Sequence, residues 1–176
     1  MKSLIPDGLP DELNPIANEL DRLHESVVWS GQGQFEQMKL WRMGNIVLGM
    51  PAAVLAAISG GTGLAARSVT ATPAILALIA AGFGAALTTL NPSRRTTQAQ
   101  SAASAYLEIQ TAMRQLLTVD LIHASREDAR EQLDKLTARR DEVNRTADPF
   151  STYAYWRAKR NIARGGQSYE VDSEER

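Results

Sequence analysis

The sequence predicts an all-α integral membrane protein: a hairpin of two transmembrane helices joined to a cytoplasmic helical bundle, itself formed by one N-terminal helix and two to three C-terminal helices. Three observations carry that prediction. Residues 43–93, a stretch of 51, hold one charged side chain, Arg67, whereas the other 125 residues hold 38. Outside that stretch, apolar residues recur at helical spacings of three and four. No run of five or six β-branched residues alternates with polar ones between turn signals, so no strand is expected. The whole chain of 176 residues reads as a single domain.

Residues 1–12 form an N-terminal arm. Asp11-Glu12-Leu13-Asn14-Pro15 then offers a helix start, and Ile16, Leu20, Leu23 and Val27 follow at spacings of four, three and four, one apolar stripe of a helix over 13–42. The stripe is interrupted at Ser30-Gly31-Gln32-Gly33 and resumes with Phe35, Met38 and Trp41. Two outcomes stay open there: the helix kinks, with the glycines as a hinge or as a local break that lets the chain approach the bilayer, or it runs straight into the first span.

The transmembrane hairpin is placed at 43–92. Met43 to Ala66 runs 24 positions without an ionisable side chain and Ser68 to Ser93 runs 26. At about 1.5 Å of helix rise per residue, either run crosses roughly 30 Å of hydrocarbon. The first helix is expected at about 43–64, closing on Gly60-Gly61-Thr62-Gly63 and bent by Pro51. The second is expected at about 72–91, with Pro73 in its first turn and Asn91-Pro92 as a stop. The short connection makes the two antiparallel. Lys39 and Arg42 before the hairpin and Arg94 and Arg95 after it outnumber Arg67 in the turn, which puts both termini in the cytoplasm of a multi-pass protein. Trp41, Arg42, Arg94 and Arg95 are the expected interface anchors. A start after 42 mostly polar residues reads as a span rather than a signal peptide.

Small residues recur every four positions: Ala52, Ala56 and Gly60 in the first span, Ala77, Ala81 and Ala85 in the second, with Ala80, Gly84 and Thr88 as a further row. Such rows let helices approach closely in lipid, which makes these positions candidates for helix packing or for lining a pore. A compositional bias toward alanine would produce the same rows.

Beyond the hairpin, cytoplasmic helices are expected over 94–163. Ala99, Ala102, Tyr106, Ile109, Met113 and Leu116 form a helix–helix seam. Its phase fails at Asp120, and a new stripe, Ala129, Leu133, Leu136 and Val143, opens after a capping box at Ser125 to Asp128. This predicts helices at about 94–118 and 125–146, folded back on each other. Asp148-Pro149 starts a third element, 150–163, with Tyr153, Trp156 and Ile162 on one side and Arg157, Lys159, Arg160 and Arg164 on the other. Residues 164–176 read as a disordered tail.

The chain offers little chemistry. Zero cysteines remove disulfides, thiol nucleophiles and cysteine-bound zinc. His24 and His123 read as surface residues, away from any metal-ligand spacing, and neither Gly-x-Gly follows a strand as a phosphate loop would. A formal net charge of −1 argues against a nucleic-acid partner. The polar residues within the spans, Ser59, Thr62, Thr88, Thr89 and Asn91 among them, include no ionisable group for proton coupling. Neither an enzyme nor a cofactor is expected. The lipid bilayer and further copies of the chain are the expected partners.

The run from Leu20 to Phe35, Trp41-Arg42, and Leu48-Gly49-Met50-Pro51-Ala52-Ala53 precede two spans and a long helix. Near the end stand Asn144-Arg145-Thr146-Ala147-Asp148-Pro149, Tyr153, Tyr155-Trp156 and Ala158-Lys159-Arg160. Together, over roughly residues 13–163, these resemble the SLATT family, two-transmembrane effector domains associated with bacterial nucleotide-based conflict systems. The resemblance implies an oligomeric effector of anti-phage defence in the bacterial inner (cytoplasmic) membrane, forming a pore or perturbing the bilayer. Its trigger would be a separate sensor protein or a nucleotide second messenger. Gating is expected along the seam of Ile16, Leu20, Leu23 and Val27 against Ala102, Tyr106, Ile109, Met113 and Leu116. The alternative is a non-conducting membrane scaffold that recruits a cytoplasmic partner.

Overall fold

The computed structural model describes residues 3–65 and 71–167, and these are helical with no strand among them. A single turn of 3-10 helix, Asp11–Leu13, leads into α1, Asn14–Ala65. There follow α2, Ala71–Leu90, and α3, Pro92–Gln115. A π-helical turn at Leu116–Asp120 and a 3-10 turn at Leu121–His123 reverse the chain into α4, Arg126–Thr146, and α5, Thr152–Ala163, comes last. Arg67, expected in the turn between the spans, lies outside the described residues, as do 168–176 of the expected tail.

The helix divides neither at the glycines nor at the expected membrane boundary: α1 is one helix of 52 residues that also contains Pro51. The described chain nevertheless forms two compact units, 3–37 with 98–167, and 38–65 with 71–97.

In the first unit, Ile16, Leu20, Leu23 and Val27 from α1 share one buried core with Tyr106, Ile109, Met113 and Leu116, and with Ala129, Leu133 and Leu136 from α4. Leu117 and Leu121 from the reversing turns complete it. Ser125 caps α4 by accepting from the Asp128 amide at 3.1 Å, satisfying a donor that the first helical turn leaves without a backbone partner. The ion pairs on the surface of α4, such as Glu131 with Lys135 at 2.7 Å, are exposed and contribute little. Tyr106 donates to Asn144 Oδ1 at 2.6 Å and ties α3 to α4 through the seam.

The two histidines separate. His123 is exposed, but His24, expected at the surface, is 4% exposed. Four residues after Leu20 and three before Val27, it falls on the same helical face as the stripe. Neither of its ring nitrogens meets a hydrogen-bond partner within the fold. Burial holds the imidazole below its ordinary value of 6.5. Asp21 and Glu25 pull it back up, and Arg114 adds to the depression. The folded state therefore favours the neutral ring. Its stabilisation is present above the unfolded value and is lost as pH falls from about 6.5 through the lower folded value. Wild-type melting temperature is expected to drop between about pH 7.5 and pH 5.5, and the drop should shrink in His24→Leu. Identical pH profiles of the two proteins would remove His24 as the cause.

Residues 164–167 are built into the fold rather than a disordered tail. The Arg164, Gly165 and Gly166 amides donate to carbonyls at the end of α5. The side chain of Gln167 donates to Gln32 Oε1 at 3.0 Å and accepts from Gln110 at 3.3 Å.

Candidate functional site

The second unit carries an extended exposed apolar surface. Both α1 and α2 are long and apolar enough to cross a membrane, and none of the most apolar window of either is buried. In α2 no residue is buried at all. Met43, Val47, Met50 and Val54 of α1 and Ile75 and Leu78 of α2 are more than half exposed, Leu78 at 73%. A soluble protein rarely leaves so continuous an apolar surface open.

The two helices meet along a narrow line. A Cβ on Gly49 would stand 3.8 Å from Leu87, and one on Gly63 3.9 Å from Pro73. Ser59 donates its hydroxyl to the Pro73 carbonyl at 2.7 Å. Leu48, Gly49, Ala52, Leu55 and Ser59 are half-buried on α1; Pro73, Leu76, Ala80, Phe83, Gly84 and Leu87 are half-buried on α2. Of the candidate packing residues, then, Ala52 is half-buried on the face of α1 that carries Gly49 and Ser59, whereas a Cβ on Gly84 would meet nothing within 4 Å. Ala56 and Gly60, and the row Ala77, Ala81 and Ala85, are exposed on outward surface, as is Thr88. The glycines at the end of α1 stay helical, and Thr62 donates its hydroxyl back to the Ile58 and Ser59 carbonyls.

The expected anchors converge at one end of this unit. The Arg95 guanidinium carbon stands 4.9 Å from the Trp41 ring centroid, a cation–π contact, and Arg95 Nε donates to the Leu90 carbonyl at 3.1 Å. That bond satisfies one of the last carbonyls of α2. Asn91 adopts a left-handed φ of 43°, which asparagine tolerates better than most residues, and its Oδ1 accepts from the Arg94 amide at 3.3 Å. Asn91 thus ends α2 and caps α3 in one residue, and Pro92 occupies the first position of α3, where a missing N–H costs nothing. What reads in the sequence as a stop is a pivot into the next helix. Arg42 and Arg94 are exposed.

The first unit holds a second constellation, missed by the spacing of apolar residues. Gly31, Gln32, Gly33, Gln34 and Glu36 of α1 are all buried. The glycines are there for close approach and not for a hinge. A Cβ on Gly31 would lie 3.1 Å from Tyr106 Cβ, and one on Gly33 2.7 Å from the Phe150 ring. The buried polar groups are met by the last segment of the chain. Gln34 donates to the Asp148 carbonyl at 2.6 Å, and Gln37 Oε1 accepts from the Ser151 amide at 2.9 Å and hydroxyl at 2.8 Å. Arg157 Nε donates to Glu36 at 2.6 Å. Ser151 also caps α5 by accepting from the Ala154 amide. The signal was present in the sequence as a polar run that kept helix-forming glutamines between its glycines.

This clamp sets the face of α5. Ala154 and Ala158 are buried, and Tyr155 stacks on Trp29 with ring centroids 6.1 Å apart. Tyr153 and Trp156, expected opposite the basic residues, instead share the exposed face with Lys159 and Arg160. Alanines admit the close backbone approach that large rings would block.

No group of three or more histidine, aspartate or glutamate side chains fit for a metal occurs among the described residues. An open groove on α3 is lined by Ser104, Leu107, Glu108 and Thr111. Comparison with protein-family models, with curated proteins and with solved structures finds no match.

Proposed function

We propose that this chain is an oligomeric effector of the bacterial inner membrane, with the 43–65 part of α1 and α2 forming a transmembrane hairpin. The helices of the first unit would lie in the cytoplasm as a bundle that gates a pore or a bilayer defect. The observation that carries the membrane part is the exposure of the apolar surface of both helices, which hydrocarbon would cover without cost and water would not. The resemblance of the sequence to SLATT domains supports the effector role in anti-phage defence. The exposed small-residue rows Ala77, Ala81, Ala85 and Ala56, Gly60 support assembly between copies, because such rows associate in lipid through backbone approach. In this proposal a sensor protein or nucleotide second messenger repacks the buried seam of α1 and α3 and so opens the assembly.

The test combines two readings of one preparation: the mass of the purified protein in detergent, and leakage of an ionic dye from liposomes that contain it. A defined oligomer that releases dye is the expected result. A monomer that inserts and leaves the liposomes tight would overturn the pore. The scaffold is a second reading, favoured by the predominantly apolar outward surface of the pair, on which Thr88 and a few other polar side chains offer water little lining. It predicts an inserted oligomer that stays tight and whose activity survives exchange of the hairpin for an unrelated one.

A further inference from the structure

The surface of α5 that turns away from the core has Trp156 at its centre. Tyr153 lies three residues before it, and Lys159 and Arg160 three and four after, all on one helical face. Trp156 is 58% and Tyr153 59% exposed. Lys159 Nζ stands 5.4 Å from the Trp156 ring centroid and the Arg157 guanidinium carbon 5.9 Å from that of Tyr153. Thr152–Ala163 contains no acidic residue, and Arg164 adds a further exposed cation just beyond it.

These rings are not outside for want of a fixed orientation. The Ser151 cap, the Gln37 hydrogen bonds, the Arg157–Glu36 pair and the Trp29–Tyr155 stack hold α5 by several independent contacts. A helix pinned this firmly, with small alanines inward and its largest aromatics outward among cations, presents a built surface. An indole and a phenol prefer the boundary between headgroups and acyl chains, and lysine and arginine beside them complement anionic phosphates. An acidic protein would use the cations but gives no reason for both rings to stand in solvent. In sequence, Gln37, which holds the start of α5, comes six residues before Met43, where the apolar run begins.

We propose that α5 docks on an anionic membrane surface, with Trp156 and Tyr153 at headgroup depth and Lys159, Arg160 and Arg164 against lipid phosphates. This goes beyond the pore reading and holds whether or not α1 and α2 cross the bilayer.

The chain has no cysteine, so Ala163→Cys, at an exposed position on the same face, takes a single environment-sensitive fluorophore such as NBD. The full-length labelled protein is placed in vesicles of phosphatidylcholine with and without phosphatidylglycerol. A blue shift and gain in emission with phosphatidylglycerol are expected, reversed by high salt and absent from Lys159→Glu/Arg160→Glu. Trp156→Ala, which keeps every charge, is expected to lose most of the shift as well, so that the rings and the cations are tested apart. Far-UV circular dichroism equal to wild type qualifies each variant. Equal emission in both lipid mixtures would overturn the proposal. A response to an oligonucleotide or to polyglutamate, with none to phosphatidylglycerol, would also overturn it and assign the face to that polymer. Alkaline extraction of the same vesicles reports on the spans separately. A chain that alkali strips off but that still answers phosphatidylglycerol would sink the transmembrane reading and leave the α5 surface standing.

Discussion

Leu20→Ala is expected to destabilise the first unit by about 3–5 kcal/mol, the range for removing a fully buried leucine from a core that cannot collapse around the gap. Leu20 is 0% exposed, in the core shared by α1, α3 and α4, with Met113 at 0% and Ile109 at 1%. A loss of that size is a large fraction of the stability of an ordinary domain. Chemical denaturation in detergent, followed by tryptophan fluorescence, would measure it. Leu107→Ala makes the matched control. Leu107 lies on the same core-forming unit but is 44% exposed, and its truncation should cost less than about 1 kcal/mol. Equal effects at the two positions would mean that the seam is not packed as described.

Gly31→Leu is expected to cost about 2–3 kcal/mol in the same assay, through overpacking. The added carbon meets Tyr106 at its Cβ, an atom that moves only with the backbone of α3, and Tyr106 is buried and bonded to Asn144. Gly44→Ala on the same helix is the contrast. Nothing stands within 4 Å of its added Cβ, so the gain in helix propensity should leave the protein unchanged or more stable by up to about 1 kcal/mol. If Gly31→Leu proved as stable as wild type, the close approach of α1 and α3 would be excluded.

These glycines also mark where sequence reasoning reached its limit. The helical stripes were legible because burial on one helix face leaves a period: Ile16 to Val27 and Ala102 to Leu116 are apolar at the spacings that bring them into one core. The Ser125 cap was legible because capping is local. The continuity of α1 through Gly31 and Gly33 was not, because a glycine that breaks a helix and a glycine that admits a neighbouring ring look alike until the neighbour is in place. Tyr106 and Phe150 lie 75 and 117 residues away from them in the chain. His24 failed for a related reason: its polarity outweighed its register with Leu20. For α5, the aromatics and the basic residues are separated onto two sides by residue type alone, whereas Ala154 and Ala158 face inward because the clamp from Gln34, Glu36 and Gln37 draws the helix close. The small-residue rows were visible as rows, but which of them meet within the pair depends on rotation about the helix axes, which a period of four leaves open.

The hydroxyls of the apolar pair carry a consequence for partitioning. Ser59 donates a hydrogen bond to the Pro73 carbonyl, Thr62 to those of Ile58 and Ser59, and Thr88 to that of Gly84 at 2.9 Å. A hydroxyl that enters hydrocarbon with its proton uncommitted costs several kcal/mol, and most of that cost disappears when a backbone carbonyl accepts the bond. On the proposed transmembrane reading, a residue-by-residue transfer scale would therefore overstate the work of moving this pair from an aqueous translocation channel into lipid. The threshold for lateral release would fall accordingly, and the Ser59–Pro73 bond, which forms only when α1 and α2 are already side by side, would make release as a pair cheaper than release one helix at a time.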